Sequence, residues 1–221
     1  PFKYAYSFPL KDTEWKKLTV PWDMFIPEDP VYQLGTSGGM PPSGIQNLKL
    51  GNKWNIYHNN KHMPKFSFCI DQIQMEEKVP SDKSTVKPRA FEEVLKLLKE
   101  KKPVNILCLG DSITAGTSLK NPDTERYAQV LEKLLRKQYG YEQIDVVSKA
   151  VGGAQGNDLR LWIDRDFAGN PPDLVTIMYG YNDKTWGYPK EYFTYSLNVY
   201  LDRIARKTNG SSAILLITTI P

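Results

Sequence analysis

Residues Asn105–Ser118 read NILCLGDSITAGTS. An apolar run of strand length stops abruptly in Gly110-Asp111-Ser112, and Gly116 follows shortly after the serine. A continuous apolar run suits a strand buried on both faces, the kind found in parallel sheets. A serine set between glycines just past such a strand lies where open α/β sheets place their ligands, at the carboxyl ends of the strands. Two questions follow: which residues join Ser112 there, and which one takes its proton.

Working outward, the same grammar repeats. Phe91, Val94, Leu95 and Leu98 mark a helix face ahead of the strand Val104–Leu109. Tyr127, Val130, Leu131 and Leu134 mark the next helix, with Asp123 or Thr124 as its expected N-cap. A strand is expected at Ile144–Val147, a short helix around Leu159, Trp162 and Ile163, and a strand at Leu174–Tyr179. A longer helix carrying Phe193, Leu197, Tyr200, Leu201 and Ile204 should begin at Pro189 and end near Gly210. Ala213–Ile220 reads as a fourth strand. Apolar strands alternating with amphipathic helices predict an α/β fold, a three-layer parallel sheet covered on both faces.

Upstream the composition differs. Over Glu77–Arg89, proline, serine and charge replace aromatics, so residues 79–89 read as a linker. Residues 1–78 are rich in aromatics, Pro and Gly, with short strand-like runs at KYAYSF, WKKLTV, IQNLKL and KFSFCIDQIQM. In the last run Phe66, Phe68, Ile70 and Ile73 alternate with polar residues, with a break in phase near Asp71. That pattern predicts a small all-β sandwich ahead of an α/β domain at 90–221.

The 221 residues carry 40% hydrophobic and 24% charged side chains and a formal charge of +4, an ordinary globular balance. No apolar stretch approaches the roughly 18 residues of a membrane helix. The lysines are scattered and show no nucleic-acid footprint. Cys69 and Cys108 each sit in an apolar run and read as two separate buried thiols. The chain starts at Pro1 with no signal-peptide pattern, so its leader says nothing about compartment.

Three predicted strand ends carry unusual chemistry. The first ends in Gly110-Asp111-Ser112, the second leads into Val151-Gly152-Gly153-Ala154, and the third ends in Gly180-Tyr181-Asn182-Asp183. A hydroxyl, glycine-rich backbone N–H groups and a carboxamide suit acyl transfer, in which preorganised donors stabilise a developing oxyanion. Other glycine-loop readings fail. No lysine follows Gly116 as a P-loop requires, GGAQG lacks dinucleotide spacing, and Thr114 stands where a nucleophile elbow has its second glycine.

GDSITAG resembles the first block of the GDSL/SGNH hydrolases, VVSKAVGGAQGNDL their second, with Ser148 where an Asn is usual, and DLVTIMYGYND their third. The resemblance covers about residues 103–221. It implies a flavodoxin-like sheet of order 2-1-3-4-5, no metal and no organic cofactor. It also implies Ser112 as nucleophile, with an oxyanion hole from the Ser112 N–H, the Gly153 N–H and the Asn182 side chain. The family's base is a histidine in a C-terminal Asp-x-x-His block, whereas the two histidines here are His58 and His62. Without a base a serine is a poor nucleophile. The expectation is a further C-terminal segment that carries the block and covers the apolar edge of Ala213–Ile220. The alternative is a protein that has lost its base, or one in which His58 reaches the cleft.

WKKLTVPWDMF together with FSFCIDQIQM resembles carbohydrate-binding, galactose-binding-type β-sandwiches. A sandwich ahead of an SGNH domain resembles carbohydrate esterase family two and its relatives. This implies a short-chain, chiefly acetyl, ester on a carbohydrate as substrate and an extracytoplasmic setting, with no nucleic-acid or membrane partner. The oligomeric state stays open. Trp54 and Tyr57 could stack on sugar or pack a core, and HNNKH at His58–His62 reads as an exposed loop rather than a metal site. Asp111 and Asp183 are supporting acids, bonding loop N–H groups or orienting the site. Trp186 and Tyr188 could line a substrate pocket or pack a loop.

Overall fold

The structure is a computed structural model that describes residues 4–5, 13–20, 25–27, 47–50, 67–75 and 86–219. The chain divides into two compact units, Pro1–Tyr6 with Leu10–Lys83, and Ser7–Pro9 with Ser84–Pro221.

In the first unit the described residues contain one antiparallel pair, Tyr4–Ala5 against Ile26–Pro27. They do not establish the expected sandwich. Residues 15–20, 47–50 and 67–75 form no strand. Ile73 is 59% exposed and Phe68, Ile70 and Met75 are exposed as well, so the alternation there buries no face. Cys69 is exposed, not buried as expected, because its apolar neighbours are themselves in solvent. Trp54, Tyr57, His58 and His62 lie outside the described residues.

The second unit is a four-stranded parallel sheet: β1 (Val104–Gly110), β2 (Ile144–Ser148), β3 (Leu174–Met178) and β4 (Ala213–Leu216), in the order β2-β1-β3-β4. Its helices are α1 (Phe91–Lys99), α2 (Ser112–Ala115), α3 (Pro122–Glu125), α4 (Tyr127–Tyr139), α5 (Ile163–Asp166), α6 (Tyr181–Thr185) and α7 (Lys190–Lys207). A 3-10 turn at Asp158–Leu161 precedes α5. The α/β expectation holds. The order agrees with four of the five strands anticipated.

Val94 and Leu98 of α1 and Ala128 of α4 bury against Val104, Ile106, Cys108, Ile144, Val146, Leu174 and Ala213. Alternation then turns Leu107, Leu109 and Val175, also buried, to the opposite face. The sideways order in which strands are added reverses after β2. β1 connects outward to β2, and the next strand returns to the far side of β1. The crevice at such a switch point, above β1 and β3, is where ligands bind in open sheets.

One helix start differs from expectation. Asp123 and Thr124 do not cap α4; they lie inside α3, which Pro122 begins, and Arg126 in an extended conformation starts α4 with no side-chain cap. The missing N–H of Pro122 suits a first helical turn, so the chain spends its acidic residues there.

Of the expected linker, residues 79–85 lie outside the described ones, and Arg89 is docked on the sheet. Its guanidinium donates to Asp173 Oδ1 at 2.8 Å while Asp173 Oδ2 accepts the Asn105 N–H at 2.9 Å. The Arg89 N–H reaches Ser212 O at 3.1 Å. Asp173 thus ties the segment before α1 to the starts of β1 and β3. Asp173→Ala should lower stability by about 1–3 kcal/mol, the size of charge-assisted bonds lost with their partners left behind. Urea unfolding checks this, and an unchanged midpoint would show that the bridge is idle.

Candidate active site

The three chemistry-bearing strand ends do converge on the crevice. β1 pairs with β3 up to Gly110 opposite Met178, which sets the two exits side by side. The β1–β2 ladder continues past β2. The Lys149 N–H donates to Cys108 O at 3.0 Å and the Val151 N–H to Gly110 O at 2.9 Å. This carries the glycine loop alongside the serine turn, where a methyl group on Gly152 would lie 3.9 Å from Ser112 Cβ.

Ser112 is the first residue of α2 and is half-buried. Asp111, fully buried, caps that turn by accepting the Ile113 N–H at 2.9 Å on Oδ1. Gly116 closes the turn with φ 69°, a left-handed conformation that suits glycine. Gly110 differs from Gly116 in its role. It supplies close approach, not turn freedom, because Thr114 packs where a side chain would be.

The glycine loop is a turn. The Ala154 N–H returns to Val151 O at 3.2 Å, and Gly153 holds φ 74°. A residue in that position needs a positive φ, which glycine adopts without strain. This is the backbone whose N–H groups the sequence singled out.

Asn182, half-buried in α6, donates through Nδ2 to Ala154 O at 2.9 Å and to Asp111 Oδ2 at 3.2 Å. Its carboxamide therefore bridges all three strand ends. Both amide hydrogens have protein partners, so in this geometry neither points into an open hole. Asp111 holds both the serine turn and the Asn182 amide. Burial pushes its carboxyl above the ordinary range, against the pull of the Ile113 N–H.

Asp183 is buried and accepts the Gly156 N–H on both oxygens, each at 3.0 Å. Burial pushes its carboxyl up to about 6, the Gly156 bond pulls the other way, and Asp158 and Asp111 add to the rise. Gly156 was not singled out from the sequence. Its signal was a third glycine in the GGAQGND stretch, at a place where a methyl group would meet the Phe193 ring at 2.9 Å.

Trp186 is 61% exposed and packs no core. Tyr188 instead stands edge-on to Tyr192, ring centroids 5.5 Å apart, and its N–H donates to Asp183 O at 2.9 Å. Of that pair, Tyr188 packs the loop and Trp186 is available to solvent. Cys108 is buried in the core, which raises its thiol and keeps it unreactive. Among the described residues no group of three or more His, Cys, Asp or Glu side chains is placed to hold a metal ion. None of the described helices is long and apolar enough to cross a membrane.

Residues 108–221 match the model of the GDSL-like Lipase/Acylhydrolase family. No curated protein matches the sequence. Among solved structures, the chain is similar to a two-domain esterase active on acetylated mannans. Identity is 24% and the TM-score 0.46, over 57% of this chain and 33% of that one. It is similar to AlinE4, an SGNH-hydrolase family esterase, at 26% identity and TM-score 0.43, over 52% of this chain and 58% of that one. It is also similar to the psychrotrophic esterase EstA from Pseudoalteromonas sp., at 21% identity and TM-score 0.42, over 51% and 57%. The chain thus spans about a third of the first relative's length and under three fifths of the others'.

Proposed function

The chain belongs to the GDSL-like lipase/acylhydrolase family, and from that premise we propose that it is a serine esterase removing short acyl groups, acetyl above all, from carbohydrates. The observation that carries the reading is the convergence of Ser112, the Gly152–Gly153 turn and Asn182 at one crevice, tied by the Asn182 amide.

In this reading Ser112 Oγ attacks the acyl carbonyl carbon. The carbonyl π electrons move to oxygen, and the oxyanion is met by the Ser112 and Gly153 N–H groups and by Asn182. For Asn182 to serve, it exchanges its longer bond, the one to Asp111, for the oxyanion. Collapse breaks the bond to the sugar oxygen, which leaves with the proton taken from Ser112. Water then repeats the sequence on the acyl-enzyme and frees the carboxylate. The proton carrier is a histidine from outside residues 90–221, which contain none.

The carbohydrate half of the proposal rests on the resemblance of residues 1–78 to sugar-binding sandwiches placed ahead of a hydrolase domain. Trp186, exposed beside the site-bearing α6, is offered as a sugar-facing ring. The setting proposed is extracytoplasmic, where such polymers occur. The test is acetate release from acetylated mannan and xylan by the natural protein, set against hydrolysis of long-chain acyl esters. A preference for long chains would replace the carbohydrate reading with that of a thioesterase or lysophospholipase of the same superfamily.

Asn182→Ala should lower kcat by about 100- to 1,000-fold, the loss typical of one oxyanion donor. Steady-state kinetics on an acetyl ester checks it. A drop confined to KM would assign Asn182 to binding instead.

A further inference from the structure

The Gly152–Gly153 turn is only as well placed as the stretch that follows it, and that stretch is held by two buried carboxylates. The Gln155 N–H donates to Asp158 Oδ2 at 3.1 Å, and the next N–H, that of Gly156, goes to both oxygens of Asp183. A side chain at Gly156 would run into the Phe193 ring of α7 and crowd Asp183 Oδ1. Three residues earlier, Gly153 holds its positive φ. Asp183 also follows Asn182 directly, so one short helix sets both the carboxamide and the loop.

We propose that Asp183 is a positioning residue for the site: ionised, it grips the Gly156 N–H through both oxygens and so holds the Gly152–Gly153 turn beside Ser112; protonated, it keeps a single neutral acceptor for that N–H and slackens the loop. The functional half rests on the esterase reading, whereas the loop movement does not.

Among the described residues, the titratable groups that act on Asp183 are acidic. Asp158 comes from the 3-10 turn and Asp111 from the turn after β1, both acidic, while α7 presents the apolar Phe193 ring. Burial and these like charges oppose ionisation, and the carboxyl is pushed up to about 6 from 3.8. A native value raised above the unfolded one means the folded state binds more protons between them. Stability is therefore fully present below about 4 and is lost as pH rises through about 6. An ionised Asp183 thus lowers stability at neutral pH while keeping the loop bond charge-assisted. That is the reverse of what a purely structural carboxylate does.

The test is amide NMR of the 221-residue chain between pH 4.5 and 8, for the parent and for Asp183→Asn, with thermal melting of both. The amide variant keeps one acceptor for the Gly156 N–H but cannot ionise. In the parent, the Gly156 and Gly153 amide signals should shift together with a midpoint near 6. In Asp183→Asn both should be flat and sit near the parent's low-pH positions. The variant should melt at or above the parent temperature at pH 7.5.

A Gly156 signal that titrates while Gly153 stays fixed would show that Asp183 only satisfies a loop N–H, and would overturn the proposal. Absence of titration at both glycines in the parent would overturn it as well, whether or not the variant folds. Loss of hydrolysis in the natural protein with the coupled titration intact would sink the esterase reading alone.

Discussion

If Ser112 is the nucleophile proposed, Ser112→Ala in the natural protein should lower kcat on an acetyl ester by about 10,000-fold or more, because no covalent intermediate can then form at that position. Fold and stability should be nearly unchanged. Among the described residues the turn is held by Asp111 on the Ile113 N–H and by the Ser112 carbonyl, which accepts the Thr117 N–H at 3.1 Å, not by the Ser112 hydroxyl. A fluorophosphonate should add once per parent chain, at Ser112, and not at all to the variant. The adduct separates two cases that kinetics alone confuses. Labelling at Ser112 requires both a working base and an open site. A parent that hydrolyses esters yet carries its label elsewhere would place the nucleophile at another residue. A parent that neither labels nor hydrolyses would support a binding protein that has lost its base.

The sheet could be read from the sequence because its two central strands are almost wholly buried and run nearly unbroken in apolar residues, with Asn105 and Thr176 as the polar exceptions. Val104–Leu109 and Leu174–Tyr179 correspond to β1 and β3 within a residue. The fourth run was read to Ile220, yet β4 ends at Leu216, with the Ile217 N–H still reaching Ile177 O at 2.9 Å. Apolar content persists there beyond the ladder that justifies it. The same weakness, more severe, appears in the first unit. Alternation at Phe68, Ile70 and Ile73 says which face could be buried, not that a second layer exists to bury it. At the site, Ser112, Gly153 and Asn182 were visible because each lies in the short segment that leaves a strand end. The Asp183–Gly156 clamp spans 27 residues of chain and depends on how α6 lies against the glycine loop. No local pattern encodes that. Nor does any pattern tell that the Asn182 amide is shared between Asp111 and Ala154.

Gly110→Ala should be the most damaging single methyl in the second unit. Its Cβ would fall on Thr114 Oγ1, 2.5 Å from Thr114 Cβ and 2.9 Å from the carbonyl oxygen of Met178. The first neighbour is a side chain, but it has no room to swing away, since Thr114 is fully buried. The last is backbone of the adjacent strand, fixed by the β1–β3 ladder that ends at this pair. Relief therefore requires α2 to lift from the sheet or β1 to part from β3. Either movement also disturbs the Gly110 carbonyl, which accepts the Val151 N–H at the root of the glycine loop. Overpacking of this kind typically costs about 1–3 kcal/mol, and the backbone clash puts Gly110→Ala at the upper end or beyond. Urea unfolding followed by circular dichroism measures it. The exchange Gly110→Ala with Thr114→Gly should recover part of the loss, because it removes the side-chain overlap but leaves the Met178 carbonyl in place. Full stability in Gly110→Ala alone would mean that α2 does not pack on the end of β1 as closely as described, and the placement of Ser112 would fall with it.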